Sequence, residues 1–122
     1  MNSNENQYLS AMFLILITVG PIYFLAGWIL FQYPPKKINS LYGYRTTRSM
    51  KNQEIWDYAQ KKSAKEMMKV GLIMGLFSMI DLIFKIPELW GVGIGLGMLI
   101  ALSVGLLLKV ERNLKTTFGE KE

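Results

Sequence analysis

Residues 41–60, LYGYRTTRSMKNQEIWDYAQ, hold the side chains with the greatest capacity for polar chemistry in an otherwise apolar chain. Arginine carries a planar fork of donors that can pair with a carboxylate, a phosphate or the end of a helix, so Arg45 is a candidate binding residue. It could equally be one more positive charge that sets membrane topology. Trp56 fits an interfacial or packing anchor, and a platform for a ligand is the alternative.

The chain contains no histidine and no cysteine. The usual general base, the usual zinc ligands and the cysteine nucleophile are therefore absent. The remaining reactive side chains show no recognisable arrangement of a base and a nucleophile. We therefore predict that the protein is not an enzyme and needs neither a metal nor another cofactor.

Three apolar segments, residues 9–31, 67–86 and 89–108, are long enough to be membrane-spanning helices. At about 1.5 Å per residue, each covers the roughly 30 Å hydrocarbon core of a bilayer. Lys69 and Lys85 lie near the ends of the second segment, where lysine can snorkel to the interface. A cleaved signal peptide is the alternative for the first segment, but its length and the lack of lysine or arginine before it argue against cleavage. We predict a single all-α integral membrane domain over residues 1–122.

The positive charges predict the orientation. All but Lys85 of the 14 lysines and arginines lie between the first two spans, at the start of the second, or after the third. By the positive-inside rule, the loop 32–66 and the tail 109–122 are cytoplasmic, whereas the N-terminus and the turn 85–88 face outward. The net charge of +5 therefore indicates topology and contact with anionic lipid before direct binding of nucleic acid.

An amphipathic cytoplasmic helix is predicted over residues 53–66, leading into the second span. Asn52 can act as its N-cap. One stripe of the helical wheel is largely apolar and the opposite stripe is charged. The first comprises Trp56, Ala59, Ser63, Met67, Val70 and Met74, and the second comprises Glu54, Asp57, Lys61, Lys65 and Lys69.

Glycines and one carboxylate stand out inside the spans. Gly71 and Gly75 in the second span, and Gly93 and Gly97 in the third, allow close approach between helices. Packing of an antiparallel hairpin or self-association explains them, and a pocket for a peptide is the alternative. Carboxylates within a membrane are costly and often functional, so Asp81 could contact a toxin or a proton. Lys85 at i+4 could instead neutralise it in a plain salt bridge.

The polar stretch carries an ordered motif. It resembles the signature of the SdpI/YfhL family of small bacterial membrane proteins, over roughly residues 34–85. The residues that match are Asn39, Gly43, Arg45, Thr46, Ser49, Asn52, Glu54 and Trp56, with Met50, Lys51 and Ala59 in the same order.

The resemblance implies a multi-pass protein of the bacterial cell membrane. The founding member of that family is an immunity protein that protects a toxin-producing cell from its own secreted killing peptide. It also holds a small repressor at the membrane. The implied partners are membrane lipids, a secreted toxin peptide, and a cytoplasmic repressor or other protein. The alternative is a non-enzymatic membrane adaptor whose basic loop docks a protein or anionic lipid.

Overall fold

Three long helices make up the described part of the chain. The computed structural model describes residues 10–119, with α1 at Ala11–Gln32, α2 at Gln53–Phe84 and α3 at Glu88–Phe118. All three are long and apolar enough to cross a membrane. The predicted all-helical architecture with three candidate spans is confirmed. The predicted external segment before residue 9, the start of the first span and residues 120–122 of the tail lie outside the described residues.

Polar caps start the first two helices. The Ser10 hydroxyl accepts a hydrogen bond from the backbone N of Phe13 at 3.1 Å and begins α1. Asn52 is the N-cap of α2, as predicted, and its Oδ1 accepts from the backbone N of Ile55 at 2.9 Å. Each cap satisfies a backbone donor that has no partner within its helix.

Two helices are longer than the apolar segments that predicted them. The segment 53–66 and the second apolar segment form one continuous helix, α2. Helix α3 continues past residue 108 to Phe118, so most of the predicted tail is helical. The connection between α1 and α2 is therefore only residues 33–52, which we call the loop.

Contacts along the helices fix their directions. Gly20 of α1 lies opposite Gly71 of α2, whereas Gly27, further along α1, lies opposite Ala64. Helices α1 and α2 are therefore antiparallel, and their contact is more extensive than that of either helix with α3.

Helix α3 is antiparallel to α2. The ammonium of Lys109 lies 3.2 Å from Glu66 Oε2, and the rings of Tyr58 and Phe118 meet edge to face at 5.5 Å. The loop and the C-terminal part of α3 therefore share one end of the bundle, which we call the loop end. Residues 85–87 join α2 to α3 at the opposite end, the turn end.

The buried apolar side chains form two clusters. The first lies between α1 and α2 and consists of Met12, Leu16, Val70 and Met74. The second lies at the loop end between α2 and α3 and consists of Ile55, Ala59, Val110 and Leu114. The second cluster packs the extension of α3 against the first turns of α2.

The glycines were expected to pack α2 against α3 in a hairpin, but their contacts are different. A Cβ on Gly71 would lie 2.5 Å from the backbone O of Gly20, so Gly71 packs on α1 rather than on α3. Gly75 joins the same crossing through its backbone N, which a Cβ on Gly20 would approach to 3.0 Å. A Cβ on Gly93 or Gly97 would meet nothing within 4 Å among the described residues. These two glycines lie on an outer face of α3.

Candidate functional site

The first half of the loop is shaped by Asn39. Its Oδ1 accepts hydrogen bonds from the backbone N of Leu41 at 2.9 Å and of Tyr42 at 2.8 Å. This local turn is typical of asparagine. Arg45 donates to the carbonyl O of Ser40 across the turn, and its side chain is exposed. Its guanidinium thus braces the loop while remaining accessible.

A buried glutamine of α2 holds the loop by its backbone. The Oε1 of Gln60 accepts from the backbone N of Tyr44 at 2.7 Å, and its Nε2 donates to the carbonyl O of Tyr44 at 2.8 Å. Gln60 is 1% exposed. The side-chain amide therefore pairs with one loop residue as a neighbouring strand would, satisfying both of its backbone polar groups.

This pairing explains the glycine before Tyr44. Gly43 has a φ of 106°, a backbone conformation that residues other than glycine rarely adopt. A Cβ at this position would lie 2.5 Å from Gln60 Oε1 and 2.7 Å from Pro35 Cγ. Both the backbone angle and the space require glycine here.

Two residues of α2 hold the beginning of the loop. Trp56 is fully buried, and its Nε1 donates to the carbonyl O of Pro35 at 2.8 Å. Gln53 Nε2 donates to the carbonyl O of Lys36 at 2.6 Å. Of the roles considered for Trp56, the structure places it in a packing position. Glu54, its neighbour in the motif, is exposed in the first turn of α2, where a negative charge complements the helix dipole.

Thr46 and Ser49 close the second half of the loop by reciprocal bonds. Ser49 Oγ accepts from the backbone N of Thr46 at 2.8 Å, and Thr46 Oγ1 accepts from the backbone N of Ser49 at 3.1 Å. Ser49 is fully buried, and its hydroxyl also lies 3.0 Å from the carbonyl O of Thr46. The resulting turn leads directly to the Asn52 cap.

A carboxylate from α3 completes the site. Glu111 Oε2 accepts from the phenol of Tyr44 at 2.6 Å and from Thr46 Oγ1 at 3.0 Å. Burial raises the pKa of Tyr44, and the hydrogen bond and negative charge of Glu111 raise the pKa further. The phenol therefore stays protonated and acts as a donor at neutral pH. We call Tyr44, Thr46, Ser49, Gln60 and Glu111 the loop network.

Glu66 forms ion pairs with three lysines at the same end of the bundle. Its Oε1 lies 3.4 Å from Lys62 Nζ and 3.3 Å from Lys69 Nζ, and its Oε2 lies 3.2 Å from Lys109 Nζ. The carboxylate is buried, with 6% of its side chain exposed. A buried charge needs such pairing, and the cluster also links α2 to α3.

Asp81 lies at the opposite end of the bundle. It is buried, and its Oδ1 accepts from the backbone N of Ile86 at 2.9 Å. Lys85 adopts a left-handed conformation with a φ of 51° and ends α2. Within residues 10–119, Asp81 and Lys85 form no ion pair. The salt bridge considered from the i+4 spacing is thus replaced by a carboxylate that caps the turn.

Six of the eight motif residues lie in the hydrogen-bonded loop or hold it against α2. Of the other two, Glu54 is exposed and Asn52 caps α2. Sequence reasoning missed Gln60, Glu111 and Glu66, although Gln60 directly follows Ala59 of the predicted apolar stripe. Within residues 10–119, no group of three or more histidine, cysteine, aspartate or glutamate side chains could hold a metal ion. The arrangement positions a loop through hydrogen bonds.

The sequence pattern of one protein family covers most of this architecture. The SdpI/YfhL protein family matches residues 36–108, from the loop through the apolar part of α3. The chain belongs to this family. Among the five residues of the loop network, only Glu111 lies beyond the residues that match the SdpI/YfhL family, in the extension of α3.

A relative supports the SdpI/YfhL assignment over a shorter stretch. The chain is 46% identical over 55 residues to a protein of Bacillus subtilis (strain 168) named "Uncharacterized protein YfhL". The alignment covers 45% of this chain and 50% of the relative, so the match extends over about half of the relative's length. No solved structure matches the chain.

Proposed function

We propose that this protein is an SdpI-like immunity protein of a bacterial cell membrane that gives resistance to a secreted antimicrobial peptide. The observation that carries the proposal is that the family signature forms an ordered loop held by Gln60 and Glu111. Membership of the SdpI/YfhL family supports the same function. In this proposal the protein is not an enzyme.

The proposed orientation puts the turn end outside the cell. Within residues 10–119, the loop end carries all the positive charges except Lys85, so it is assigned to the cytoplasm by the positive-inside rule. A secreted peptide would then reach the turn end first. Leu89, Trp90, Gly93 and Ile94 of α3 line a shallow, open apolar groove there. We assign this groove to contact with an apolar or amphipathic peptide.

The loop network gives the same protein a cytoplasmic element. Glu111 joins the loop to α3, the helix that carries the groove. In this proposal, binding of the peptide in the groove is transmitted through α3 to the loop. A repressor or another cytoplasmic protein binds the exposed side of the loop.

A second function is favoured by the charges on the loop surface. Lys36, Lys37, Arg45 and Lys51 are exposed. A membrane adaptor that docks an acidic protein or anionic lipid would use this surface without any toxin. The two functions differ in whether the groove at the turn end matters.

The test is survival of a sensitive bacterium that lacks its own immunity genes. Cells expressing this chain are challenged with the killing peptide that the SdpI immunity protein resists. Wild type is compared with Gly93→Leu, which fills the groove, and with Gly105→Leu, a matched change further along α3. A Cβ at either glycine would meet nothing within 4 Å among the described residues. Membrane levels are matched by immunoblot.

We expect wild type and Gly105→Leu to protect and Gly93→Leu to lose protection. Arg45→Ala tests the loop against Lys51→Ala, which removes the same charge from the same exposed surface. Selective loss with Arg45→Ala places the loop in the immunity mechanism. Failure of wild type to protect overturns immunity against that peptide and favours the adaptor.

A further inference from the structure

The three lysines around Glu66 come from two helices and converge on one point. Lys62 and Lys69 lie on either side of Glu66 on α2, and Lys109 reaches the same carboxylate from α3. Two of the lysines are well exposed, Lys69 at 60% and Lys109 at 47%, and Lys62 is partly exposed at 26%. The buried carboxylate therefore gathers ammonium groups that remain open to the surroundings.

The position of this cluster matches the boundary of the membrane. Lys69 immediately precedes the uncharged residues 70–80 of α2, and Lys109 immediately follows the uncharged residues 89–108 of α3. Because about 20 apolar residues of helix cross the hydrocarbon core, the 20 uncharged residues 89–108 place Lys109 where the hydrocarbon ends. Lys69 lies at the same level, since it contacts the same Glu66 carboxylate. Phospholipid headgroups occupy that level.

The charges in the cluster are not balanced. One carboxylate faces three ammonium groups, so two positive charges are left over in the cluster. Each ammonium has three donors, and the two oxygens of Glu66 cannot occupy them all. A phosphodiester supplies one of the two missing negative charges and further acceptors.

We propose that Lys62, Lys69 and Lys109 form a binding site for the headgroup of one anionic phospholipid, with Glu66 as the positioning residue. The site bridges α2 and α3, so a bound headgroup would stabilise their contact at the loop end. This site does not depend on a toxin, and the survival assay above does not test it.

The experiment measures lipid binding to the purified full chain in neutral detergent. Phosphatidylglycerol or phosphatidylcholine is added, and native mass spectrometry counts the protein molecules that retain one lipid. Lys109→Gln is compared with Lys65→Gln, an exposed lysine of α2 outside the cluster. Both variants lower the net charge equally. Lys109→Arg restores the charge, and thermal unfolding identifies any variant that fails to fold.

We expect wild type to prefer phosphatidylglycerol and Lys109→Gln to weaken its binding roughly fivefold, the effect of one lysine near an anionic surface. Lys65→Gln and Lys109→Arg should retain the wild-type affinity. If Lys109→Gln does not fold, Lys69→Gln replaces it, because Lys69 is the most exposed member of the cluster. Equal binding of the two lipids by wild type, or equal weakening by Lys65→Gln, would overturn the proposal.

Discussion

Replacing Gln60 by leucine should detach the loop from α2. Leucine is similar in size to glutamine but offers neither the acceptor nor the donor that pairs with the Tyr44 backbone. The substitution therefore tests the hydrogen bonds at Gln60 while retaining most of the volume of the side chain.

The expected cost follows from the two hydrogen bonds lost by the Tyr44 backbone. Its N is left without a partner, whereas its carbonyl O keeps the Ser49 hydroxyl at 3.2 Å. A buried polar group that loses its partner costs about 1–3 kcal/mol, and a single hydrogen bond contributes about 0.5–1.5 kcal/mol net. Because the environment of Tyr44 is only partly buried, water can partly replace the lost bonds, so about 1 kcal/mol for the N and about 0.5 kcal/mol for the carbonyl are the appropriate values. A total of about 1.5 kcal/mol raises the population of the detached loop roughly tenfold, since each 1.4 kcal/mol is a factor of ten.

Limited trypsin digestion measures this population. The loop contains Arg45, Arg48 and Lys51 as cleavage sites, and cleavage follows the open population when closing is faster than cutting. The matched control is Gln53→Leu, the same chemical change at an exposed residue of α2. Its bond to the Lys36 carbonyl is exposed, so its cleavage rate should rise only a few fold.

Equal cleavage of Gln60→Leu and Gln53→Leu would refute the role given to Gln60. The same conclusion would follow if both rates matched wild type. A large increase for Gln60→Leu alone, with unchanged helix content by circular dichroism, would locate the effect in the loop.

Three further predictions follow from the same geometry. Gly43→Ala should increase loop cleavage by trypsin, because its φ of 106° costs about 1–3 kcal/mol for another residue and the Cβ meets Gln60 Oε1. Gly71→Ala should lower thermal stability in detergent by about 1–3 kcal/mol through overpacking against α1. Gly97 borders open space, so Gly97→Ala should leave the stability unchanged or raise it by up to about 1 kcal/mol. Equal melting temperatures of the two variants would contradict the close contact of α1 and α2 at Gly71. Since the pKa of Tyr44 is raised in the folded protein, its contribution to stability is complete below about pH 10, the pKa of a free tyrosine, and is lost as the pH rises through the folded value. In a pH titration followed by tyrosinate absorbance, one phenol of wild type should ionise at a higher pH than the same phenol in Glu111→Gln.

The spans could be predicted because the bilayer leaves few alternatives for a long uncharged segment. Apolar segments of this length must be helical to satisfy their backbone groups in hydrocarbon, and α1 and α3 lie where such segments were predicted. The Asn52 cap was predictable because capping is local in sequence. The helix predicted at residues 53–66 was expected to lead into the second span, but its unbroken continuity with that span and the extension of α3 to Phe118 were not fixed by the sequence. A change from apolar to amphipathic composition does not show whether a helix ends.

The contacts of the loop could not be predicted for a different reason. Gln60 meets Tyr44 across 16 residues, and Glu111 meets Tyr44 across 67 residues. A single sequence contains no signal for such distant pairs. The motif identified the loop, but the groups that hold it lie partly outside the motif. The glycines of α3 show the same limit, because their spacing does not say which of them face α1.

Helix α3 is a continuous rod of 31 residues. Gly95 rests against Met12 of α1, where a Cβ would lie 3.3 Å from the Met12 Cα, and Glu111 lies about 24 Å further along the helix axis at 1.5 Å per residue. A tilt of about 10° around this pivot would move Glu111 by roughly 4 Å, more than the reach of a hydrogen bond. The rod is thus a lever arm, and a small angular change within the bilayer is enough to pull Glu111 away from Tyr44 and Thr46.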